Sequence, residues 1–446
     1  MERPEGHSRQ NRETGGMTLT LVAFLVLIVL GAPIVFALGV SAALTIATSD
    51  IPISIISQRM YAGLDSFTIM AIPFFVLAGI IMEQGGIAKR IIDFSVALVG
   101  WITGSLLLVA TVAGIGMAAV SGSGAASTAA ISSIMLTEMR ERGYDIDFSA
   151  GLMASAGTLG PVIPPSIMMV VLATTSNLSI GRAFLGGILP GLLMALGIMI
   201  ACYAYAKRGG DAYRDTETFS LGRLSRTFLA AGPAFAMPVI IVGGIIGGIF
   251  TPTEAAAVAV FCGLIISIYV YKEIGFKDIP AMFLRAASIS AAVMMIIATA
   301  SVFSWLIASQ NVPTMIADAL HSATSNPLVF LLLMNFLLIF IGMFMEGISA
   351  ILVMVPVLLP IAVSFGIDPL HFGVIVVMNL SIGMITPPYG ITLYVASSVA
   401  NRSVLQVSRK IGLPFMLIFA ILMLTTFFPE LAVYLPDALM PTTIPN

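Results

Sequence analysis

The sequence predicts an all-α polytopic membrane protein built from two inverted-topology repeats, each with a re-entrant hairpin and a broken transmembrane helix. Hydrophobic residues make up 59% of the 446-residue chain and charged residues only 9%, whereas soluble domains average about 25% charged residues. A small-residue tip followed by a glycine and a double proline occurs twice inside apolar sequence, at 121–124 with 160–165 and at 346–347 with 383–388. Lys and Arg are distributed unevenly between the apolar runs, which indicates the direction in which each run crosses.

Composition also argues against several classes of protein. The net charge is −2 and basic residues occur only as scattered pairs, so we expect no nucleic-acid partner. Cys202 and Cys262 lie in separate apolar stretches and no two histidines have ligand spacing, so we expect neither a disulfide framework nor a transition-metal site. The polar segment 1–17 lacks the apolar core of a cleavable signal and is predicted to be a tail, with Met17 as an alternative start.

Counting basic residues assigns the connecting segments to the two sides of the membrane. The segments rich in Lys and Arg are predicted to be cytoplasmic, at 207–226, 272–285 and 402–410. The segments without them are predicted to lie outside, at 249–253, 310–325, 365–369 and 429–446. Both termini are then outside, although the N-terminal tail contains arginines; if 18–49 formed one long helix, the N-terminus would be inside.

This assignment requires two hairpins that enter from opposite faces. Because 310–325 and 365–369 are both outside, the apolar sequence between them must enter the membrane and return, with its tip near 346–347. Basic residues likewise precede and end the segment 101–140, whose tip is 121–124. The two halves of the chain are therefore inverted with respect to each other.

The division of the chain follows from these assignments. It consists of a polar N-terminal tail at 1–17, a first repeat at 18–210, a cytoplasmic linker at 211–225, a second repeat at 226–430 and a C-terminal tail at 431–446. The hairpins span about 101–140 and about 326–365, and the broken helices about 147–176 and about 370–400. Each repeat is expected to contain three spans, an interfacial arm helix, a hairpin, a broken span and a closing span.

A gap-free offset of 223 positions aligns the two repeats. It pairs identical residues at turns and helix starts: Gly124 with Gly347, Gly143 with Gly366, Asp145 with Asp368, Gly160 with Gly383, and Pro164 and Pro165 with Pro387 and Pro388. Glycine and proline at matched positions indicate a shared backbone design.

The double prolines predict unpaired carbonyl groups inside the membrane. Proline has no N–H, so Pro164 leaves the carbonyl of Gly160 without its helical donor, and Pro387 does the same for Gly383. Unwound backbone is tolerated at membrane depth only where it is buried or lines a cavity. Kinks relaxed by neighbouring helices are the alternative, but two matched breaks, each with a glycine tip, favour a site for a small cation.

The acidic residues and the possible phosphate-binding loop are weaker candidates for a binding site than the two breaks. Thr251, Pro252 and Glu254 form the pattern of a capping box at a helix start. An ionisable group at a hairpin tip is costly at membrane depth. Two interpretations of Glu346 are therefore open: it lines the site, or it is neutralised or paired locally. The tip 121–124 lacks the lysine of a phosphate-binding loop.

Five stretches of the chain carry a resemblance to a known family. They are QRMYAGLDSFTIMAIPFFVLAG, SGSGAASTAAI, GTLGPVIPPS, GGIFTPTEAAAVAV and NLSIGMITPPYG. Their sequence and order resemble the large membrane subunit of tripartite ATP-independent periplasmic (TRAP) transporters, the DctM-like permease, from about residue 18 to 430.

The resemblance implies a function in transport rather than catalysis. Members of the family are Na⁺-driven symporters of organic acids such as C4-dicarboxylates or sialic acid, in the bacterial inner membrane. They work with a small four-helix membrane subunit and a soluble periplasmic substrate-binding protein, and no cofactor is implied besides Na⁺ as coupling ion. Membrane lipid surrounds them, and their fold is of the elevator type found in the ion-transporter superfamily.

The resemblance also implies where ions and substrate bind. The positions that match the first Na⁺ site are Ser121, Gly124, Gly160, Ile163 and Pro165, and those that match the second are Gly347, Gly383, Thr386 and Pro388. Family members often have Asn where this chain has Gly124, so any ligand there is a backbone group. Position near the tips and breaks suggests substrate contacts at Ser123, Thr174, Glu346 and Ser397.

Three alternatives to this function are open at the sequence level. The first is a stand-alone Na⁺/dicarboxylate or anion transporter with the same fold, and the second is an ion channel, which needs no inverted hairpins. An intramembrane enzyme is the third, but the apolar core contains no paired nucleophile and base. The sequence does not identify the organic acid or the Na⁺ stoichiometry.

Overall fold

The computed structural model describes residues 19–49, 51–209, 213 and 218–441, and these residues form helices and short connections without a β-strand. The first half contains α1 Leu19–Val29, α2 Ile34–Ala47, α3 Ser54–Leu64, α4 Ala71–Gln84, α5 Ile87–Val99, α6 Ser105–Ser121, α7 Gly124–Glu141, α8 Ile146–Gly157, α9 Ile167–Thr175 and α10 Ile180–Gly209. The second half contains α11 Leu221–Ile246, α12 Pro252–Ile265 with a π-helical end at Ile266–Val270, α13 Ile279–Ser309, α14 Val312–Ala323, α15 Pro327–Phe344, α16 Gly347–Ser364, α17 Pro369–Gly383, α18 Ile391–Ala400, α19 Val404–Ser408, α20 Gly412–Phe427 and α21 Glu430–Leu439.

Helix length and composition make this a multi-pass membrane protein. Within the described residues, six helices are long and apolar enough to cross a bilayer, or up to eight when each bent pair is taken as one span. The bent pairs are α4 with α5, at 65°, and α20 with α21, at 62°. A span needs about 20 predominantly apolar residues. Helix α13 has 31 residues in all, so it is longer than a crossing requires.

The first two helices fold back on each other. The hydroxyls of Thr20 in α1 and Thr45 in α2 lie 2.8 Å apart, whereas one straight helix would separate residues 25 positions apart by about 38 Å. The interpretation of 18–49 as one long helix is therefore wrong. With 11 residues in α1 and 14 in α2, these two helices are shorter than the ~20 residues of a full crossing.

The hairpins and broken helices lie close to the predicted segments. Helices α6 and α7 form the first hairpin, and α15 and α16 form the second. The first broken helix consists of α8 and α9, and the second of α17 and α18. The division into two repeats stays a prediction. The predicted linker at 211–225 is too long, because α11 already begins at Leu221.

Local structure repeats at the offset of 223. Ser123 caps α7 by accepting from the N–H of Ala126, and Glu346 caps α16 by accepting from Ser349. Asp145 and Asp368 cap α8 and α17 in the same way. Other matched features are the left-handed glycines Gly143 and Gly366, with φ of 75° and 74°, and the cis peptide bonds Pro164–Pro165 and Pro387–Pro388. The inverted repeats are thus visible in caps and turns as well as in helix order.

The helices form two groups joined by two arm helices. We call α1–α4 with α11–α13 the scaffold, α6–α10 with α15–α21 the block, and α5 and α14 the arms. In the scaffold, α4 packs on α12 and α3 packs on α13. In the block, α7 packs on α18 and α16 packs on α9, so the second helix of each hairpin contacts the broken helix of the other repeat. Such reciprocal contacts are those expected of an inverted pair.

Polar side chains join helices inside the block. The Asn379 amide donates to the Asn335 oxygen at 2.7 Å, and the Asn335 amide donates to the Thr426 hydroxyl at 3.0 Å. The His371 ring lies 2.8 Å from the carbonyl of Thr425. These bonds fasten α15, α17 and α20 together, because buried amides that lost their partners would carry a large desolvation cost.

Other polar contacts hold the scaffold and the arms. The Thr253 hydroxyl donates to the Phe67 carbonyl at 2.9 Å, which ties α12 to the segment before α4. The Arg90 guanidinium of α5 stacks over the Tyr271 ring, with its central carbon 3.9 Å from the ring centre. His321 of α14 stacks on Phe365 at 3.9 Å between ring centres, just after α16. The Arg90 contact thus joins the first arm to the scaffold and the His321 contact joins the second arm to the block, while α5 also packs on α6 of the block.

The ends of the chain differ from the predicted tails. Residues 431–439, predicted as part of a C-terminal tail, belong to α21, which Arg182 holds through the Met440 carbonyl and the Asp437 carboxylate. The predicted N-terminal tail at 1–17 and residues 442–446 lie outside the described residues. Of the predicted linker at 211–225, residues 211, 212 and 214–217 lie outside the described residues as well.

A charged cluster closes one end of the block. Asp145 accepts from the Tyr205 hydroxyl at 2.8 Å and from the Lys410 ammonium at 2.9 Å, so α8, α10 and the segment before α20 meet there. Partial burial raises the pKa of the Asp145 carboxyl, but the hydrogen bonds from Lys410, Tyr205 and the Phe148 N–H lower it more, and the pKa lies below its usual value. A depressed carboxyl pKa stabilises the fold above the unfolded-state pKa of about 3.9, and this contribution disappears as the pH falls through the folded-state value.

We expect Asp145→Asn to lower the free energy of unfolding by about 1 kcal/mol, because the substitution keeps a helix cap but removes the charge that Lys410 and Tyr205 contact. Thermal unfolding of the detergent-solubilised protein measures this change. The effect should shrink as the pH falls through the lowered pKa of the folded-state Asp145 carboxyl, because the native carboxyl is then protonated as well. Glu138→Gln is the control, since Glu138 forms an exposed pair with Arg142 one helical turn away; equal destabilisation by both variants would contradict the assignment.

Candidate functional site

The first broken helix touches the tip of the first hairpin at Gly160. A Cβ atom placed on Gly160 would lie 2.9 Å from the carbonyl carbon of Ser123 and 3.0 Å from the nitrogen of Gly124. These contacts are with backbone atoms, which cannot turn aside as the end of a flexible side chain can. Glycine is therefore required where the break meets the tip.

The second broken helix makes its close contact at a different level. A Cβ atom on Gly383 would lie 2.5 Å from the carbonyl carbon of Gly342, and Gly342 precedes the tip at 345–346 by about one helical turn. The two breaks are therefore approached differently, although their glycines align in sequence. The second hairpin therefore touches its break at Gly342, about one helical turn before its own tip.

Each tip also contacts the opposite repeat. Gly124 packs beside Met384 and Thr392, since its Cβ would lie 2.8 Å from the Met384 methyl carbon and 3.4 Å from Thr392 Cγ2. Gly347 packs against Met168 at the start of α9, 2.5 Å from the methyl carbon by the same measure. The two tips and the two breaks therefore meet in one region, which we call the junction, and it contains the positions predicted for both Na⁺ sites.

Free carbonyl groups line the first break. No N–H group of the described residues donates to the carbonyl oxygens of Gly160, Ile163 or Pro165. The Pro165 oxygen also faces the hairpin tip, because it would lie 2.6 Å from a Cβ atom on Gly122. The proline argument from sequence therefore holds for Gly160. Carbonyl oxygens without donors, next to a glycine-only contact, fit a small cation.

The second break differs from the prediction at Gly383. Its carbonyl accepts from the N–H of Thr386 at 3.0 Å, so it is not left without a donor. The reason is that the chain tightens into a turn after Gly383, and the N–H three residues on replaces the donor that proline removes. The carbonyls of Ile385, Pro387 and Pro388 accept no N–H from the described residues, so the free groups of this break follow Gly383.

Hydroxyl groups lie at both breaks. The Ser121 and Ser127 hydroxyl oxygens are 2.7 Å apart, and the Thr386 hydroxyl donates to the Ile382 carbonyl at 2.7 Å. Each oxygen keeps a lone pair with which it could contact a cation. Ser127 was not predicted from sequence; its position one turn after Ser123 was the available signal. Thr392 was also missed, and it donates to the Met384 carbonyl at 2.8 Å.

Glu346 is both a helix cap and an accessible side chain. Its carboxylate accepts from the Ser349 N–H at 3.2 Å, and its side chain is exposed rather than enclosed. Local hydrogen bonding therefore accounts for much of its polarity. The carboxyl oxygens at the second tip are ligands of the kind that small hard cations prefer.

Two of the four predicted substrate residues lie at the junction. Ser123 and Glu346 lie at the two tips. Thr174 lies near the end of α9, about 10 Å along the helix from its start, and it lines a cavity against the scaffold. Ser397 is 2% exposed in α18, and its hydroxyl oxygen has no hydrogen-bond partner. One small substrate at the junction could contact Ser123 without reaching Thr174.

Metal-ligating side chains do not cluster in the described part of the chain. None of its regions brings together three or more His, Cys, Asp or Glu residues in a way that could hold a metal ion. Cys202 is buried, and its sulfur lies 3.6 Å from the Thr111 hydroxyl.

Comparison with known proteins gives consistent matches along nearly the whole chain. The family profile described as "Tripartite ATP-independent periplasmic transporter, DctM component" matches residues 21–431. The isethionate TRAP transporter permease protein DctMQ of Oleidesulfovibrio alaskensis is 42% identical over 415 residues, which is 92% of this chain and 65% of that protein. This chain thus spans just under two thirds of that relative's length.

Two relatives from Vibrio cholerae match over almost their full length. The C4-dicarboxylate TRAP transporter large permease protein DctM is 38% identical, with 95% of this chain and 98% of that protein covered. The sialic acid TRAP transporter large permease protein SiaM is also 38% identical, covering 94% and 98%. All three relatives are named as permeases, in agreement with the prediction of a transporter rather than an enzyme.

A solved structure shares the fold. The crystal structure of the Alcanivorax borkumensis YdaH transporter, described as having an unusual topology, matches with a TM-score of 0.62 and covers 93% of this chain and 99% of that one. At 13% sequence identity it supports the architecture alone.

We expect Gly160→Ala to abolish uptake by proteoliposomes while the protein still inserts and remains monodisperse, because the added methyl group would push the first break away from the hairpin tip. Size-exclusion chromatography and uptake measure the two properties. Gly232→Ala is the control, since no atom lies within 4 Å of a Cβ atom at that position. Normal uptake by Gly160→Ala would show that the close contact is dispensable.

Proposed function

Because this chain belongs to the family of DctM components of tripartite ATP-independent periplasmic transporters, we propose that it is the large membrane subunit of a Na⁺-coupled importer of an organic anion. The family makes it a transporter permease for organic acids. Relatives are named for isethionate, C4-dicarboxylate and sialic acid, which share an anionic group. A carboxylate is the substrate class that we expect first.

The first break is the observation that carries Na⁺ coupling. The carbonyl oxygens of Gly160, Ile163 and Pro165 have no N–H donor among the described residues, and the tip of the first hairpin lies against them. Leaving such groups unpaired in a bilayer costs several kcal/mol each. A Na⁺ ion bound there would satisfy several of them and would hold the tip on the break. Ser121 contributes a hydroxyl at the same place, and Gly124 contributes backbone.

A second Na⁺ site is proposed at the second break. Thr386 supplies a hydroxyl oxygen, and the carbonyls of Ile385 and Pro388 lack N–H donors. Gly347 and Gly383 act through close packing, because the Gly383 carbonyl already accepts from Thr386. The Glu346 carboxylate places negative charge on the same tip, which favours a cation in this half of the junction.

The substrate anion is proposed to bind at the N-terminal end of α7. Ser123 caps this helix through a long contact of 3.5 Å to Ala126 and is partly exposed. Helix N-termini favour anions through unpaired N–H groups and the helix dipole. The equivalent position in the other repeat is Glu346, whose charge would repel the substrate. Bound Na⁺ would then supply the positive charge that binding of an anion requires.

An elevator movement of the block against the scaffold is proposed as the mechanism. The interhelical hydrogen bonds described above lie within the block, within the scaffold, or at an arm. Where the two groups meet, α4 contacts the first hairpin through small and apolar residues: a Cβ atom on Gly79 would lie 3.2 Å from the Ser121 carbonyl oxygen. A boundary of this kind can shift without breaking strong polar bonds.

Two partners are proposed from family membership. One is a small four-helix membrane subunit, and the other is a soluble periplasmic protein that delivers the substrate. The proposed setting is the bacterial inner membrane, with both termini on the periplasmic side. Uptake measured with and without the periplasmic protein distinguishes this system from a stand-alone transporter of the same fold. Single-channel current without saturable uptake would identify a channel instead.

We expect Thr386→Val to weaken the Na⁺ dependence of uptake roughly tenfold, equivalent to about 1.4 kcal/mol, because one oxygen ligand is lost while the shape is kept. The Na⁺ concentration that gives half-maximal uptake measures the effect. Thr227→Val is the control: its hydroxyl bonds to a carbonyl one turn earlier, as that of Thr386 does, but it lies on the exposed face of α11. An unchanged Na⁺ response in Thr386→Val would argue against the second site.

We expect Ser123→Cys and Glu346→Cys, each in a background without Cys202 and Cys262, to react with membrane-impermeant thiol reagents from opposite sides of the membrane. The pattern should change when Na⁺ and substrate are added, because the movement exposes one tip at a time. Labelling in right-side-out and inside-out vesicles measures it. Identical labelling of both positions under all conditions would contradict an elevator.

A further inference from the structure

A half-open cavity of about 270 Å³ lies between the scaffold and the block. The scaffold contributes Ile72, at the start of α4, together with Ser301 and Ser304 of α13. The block contributes Thr174 of α9 and Leu352 of α16. The volume exceeds the ~150 Å³ of an engineered apolar cavity that binds benzene, so a small organic molecule fits.

The polar groups of the cavity are of two kinds. The hydroxyls of Thr174 and Thr175 donate to the carbonyls one turn earlier, each at 2.8 Å, so only their lone pairs face outward. The hydroxyls of Ser301 and Ser304 form no hydrogen bond with described residues and remain available as donors. The block side thus offers acceptors and the scaffold side offers donors.

The chemistry of the walls selects an uncharged ligand. None of the described residues that line the cavity is ionisable. A carboxylate in this place would lose water without gaining a counter-charge, at a cost of several kcal/mol. Apolar side chains such as Ile72 and Leu352 accept a hydrocarbon body instead. We therefore expect the transported anion to bind at the junction rather than in this cavity, and the contact of Thr174 with the substrate stays a prediction.

We propose that this cavity binds a small uncharged molecule with a hydroxyl or amide group and a hydrocarbon body, and that its occupant holds the block against the scaffold. The walls come from both groups, so the full set of contacts exists only in the arrangement seen here. A ligand that binds one arrangement better shifts the population towards it. The occupant would thus inhibit transport without competing for the substrate. This inhibition rests on the proposed elevator, whereas the binding itself does not.

Binding is tested with 4-fluorobenzyl alcohol as the probe, followed by fluorine NMR of the purified full chain in detergent. We expect saturable binding to the unmodified protein and at least tenfold weaker binding to Ser304→Leu, which fills the cavity. Ser288→Leu is the matched control, because Ser288 is exposed on the same helix α13 and should leave binding unchanged. Thr175→Val removes an acceptor without changing size and should weaken binding about threefold.

Two outcomes of the NMR experiment would overturn the site: no saturable binding, or equal binding to the unmodified protein, Ser304→Leu and Ser288→Leu. Uptake by proteoliposomes then tests the inhibition. Benzyl alcohol should lower the maximal rate without changing the substrate concentration at half-maximal rate, and Ser304→Leu should be resistant. Binding without inhibition would overturn the holding role and leave the site in place. Loss of Na⁺ dependence in the unmodified protein would overturn the proposed function instead, with the binding result unaffected.

Discussion

The structure depends on one constraint: a backbone carbonyl inside a bilayer must find a partner. Because proline has no N–H group, the double prolines leave backbone carbonyls at both breaks without helical donors. The two breaks differ in what happens to these carbonyls. At the second break a tight turn lets Thr386 supply the missing N–H to Gly383. At the first break, Gly160, Ile163 and Pro165 keep free oxygens, and a glycine contact brings the hairpin tip onto them. Packing of tips, breaks and hairpins follows from this need.

The two repeats share a backbone design but differ in side chains where chemistry is expected. Ser123 and Glu346 occupy equivalent caps, one neutral and one acidic. Gly160 meets its hairpin at the tip, whereas Gly383 meets it one turn earlier, at Gly342. An inverted pair therefore need not form two equal sites. In the proposed function, the neutral cap of the first repeat would accommodate the anion beside the first Na⁺ site, and the acidic cap of the second repeat would favour a cation alone.

The fold could be predicted from sequence because its main signals come from neighbouring residues or from counting residues along a segment. Basic residues on the connecting segments located the hairpins, and Asp145, Asp368 and Thr251 marked helix starts through their capping geometry. The features that could not be predicted depend on how the helices approach one another in three dimensions. The bond between Thr20 and Thr45 that folds α1 onto α2, the contact at Gly342 and the separation of Thr174 from the junction involve residues distant in sequence. The binding roles at the junction remain predictions.

In the proposed elevator, the second arm would limit how far the block can travel. Helix α14 has 12 residues and is therefore a rod about 18 Å long. It follows α13 of the scaffold after a short turn at Asn311, and its far end stacks on the block through His321 and Phe365. A rod hinged at one end can carry its other end no further than its own sweep allows. In the proposed elevator, the length of this arm would therefore set the distance that the block moves, and an arm longer by one turn would change the distance over which the substrate is carried.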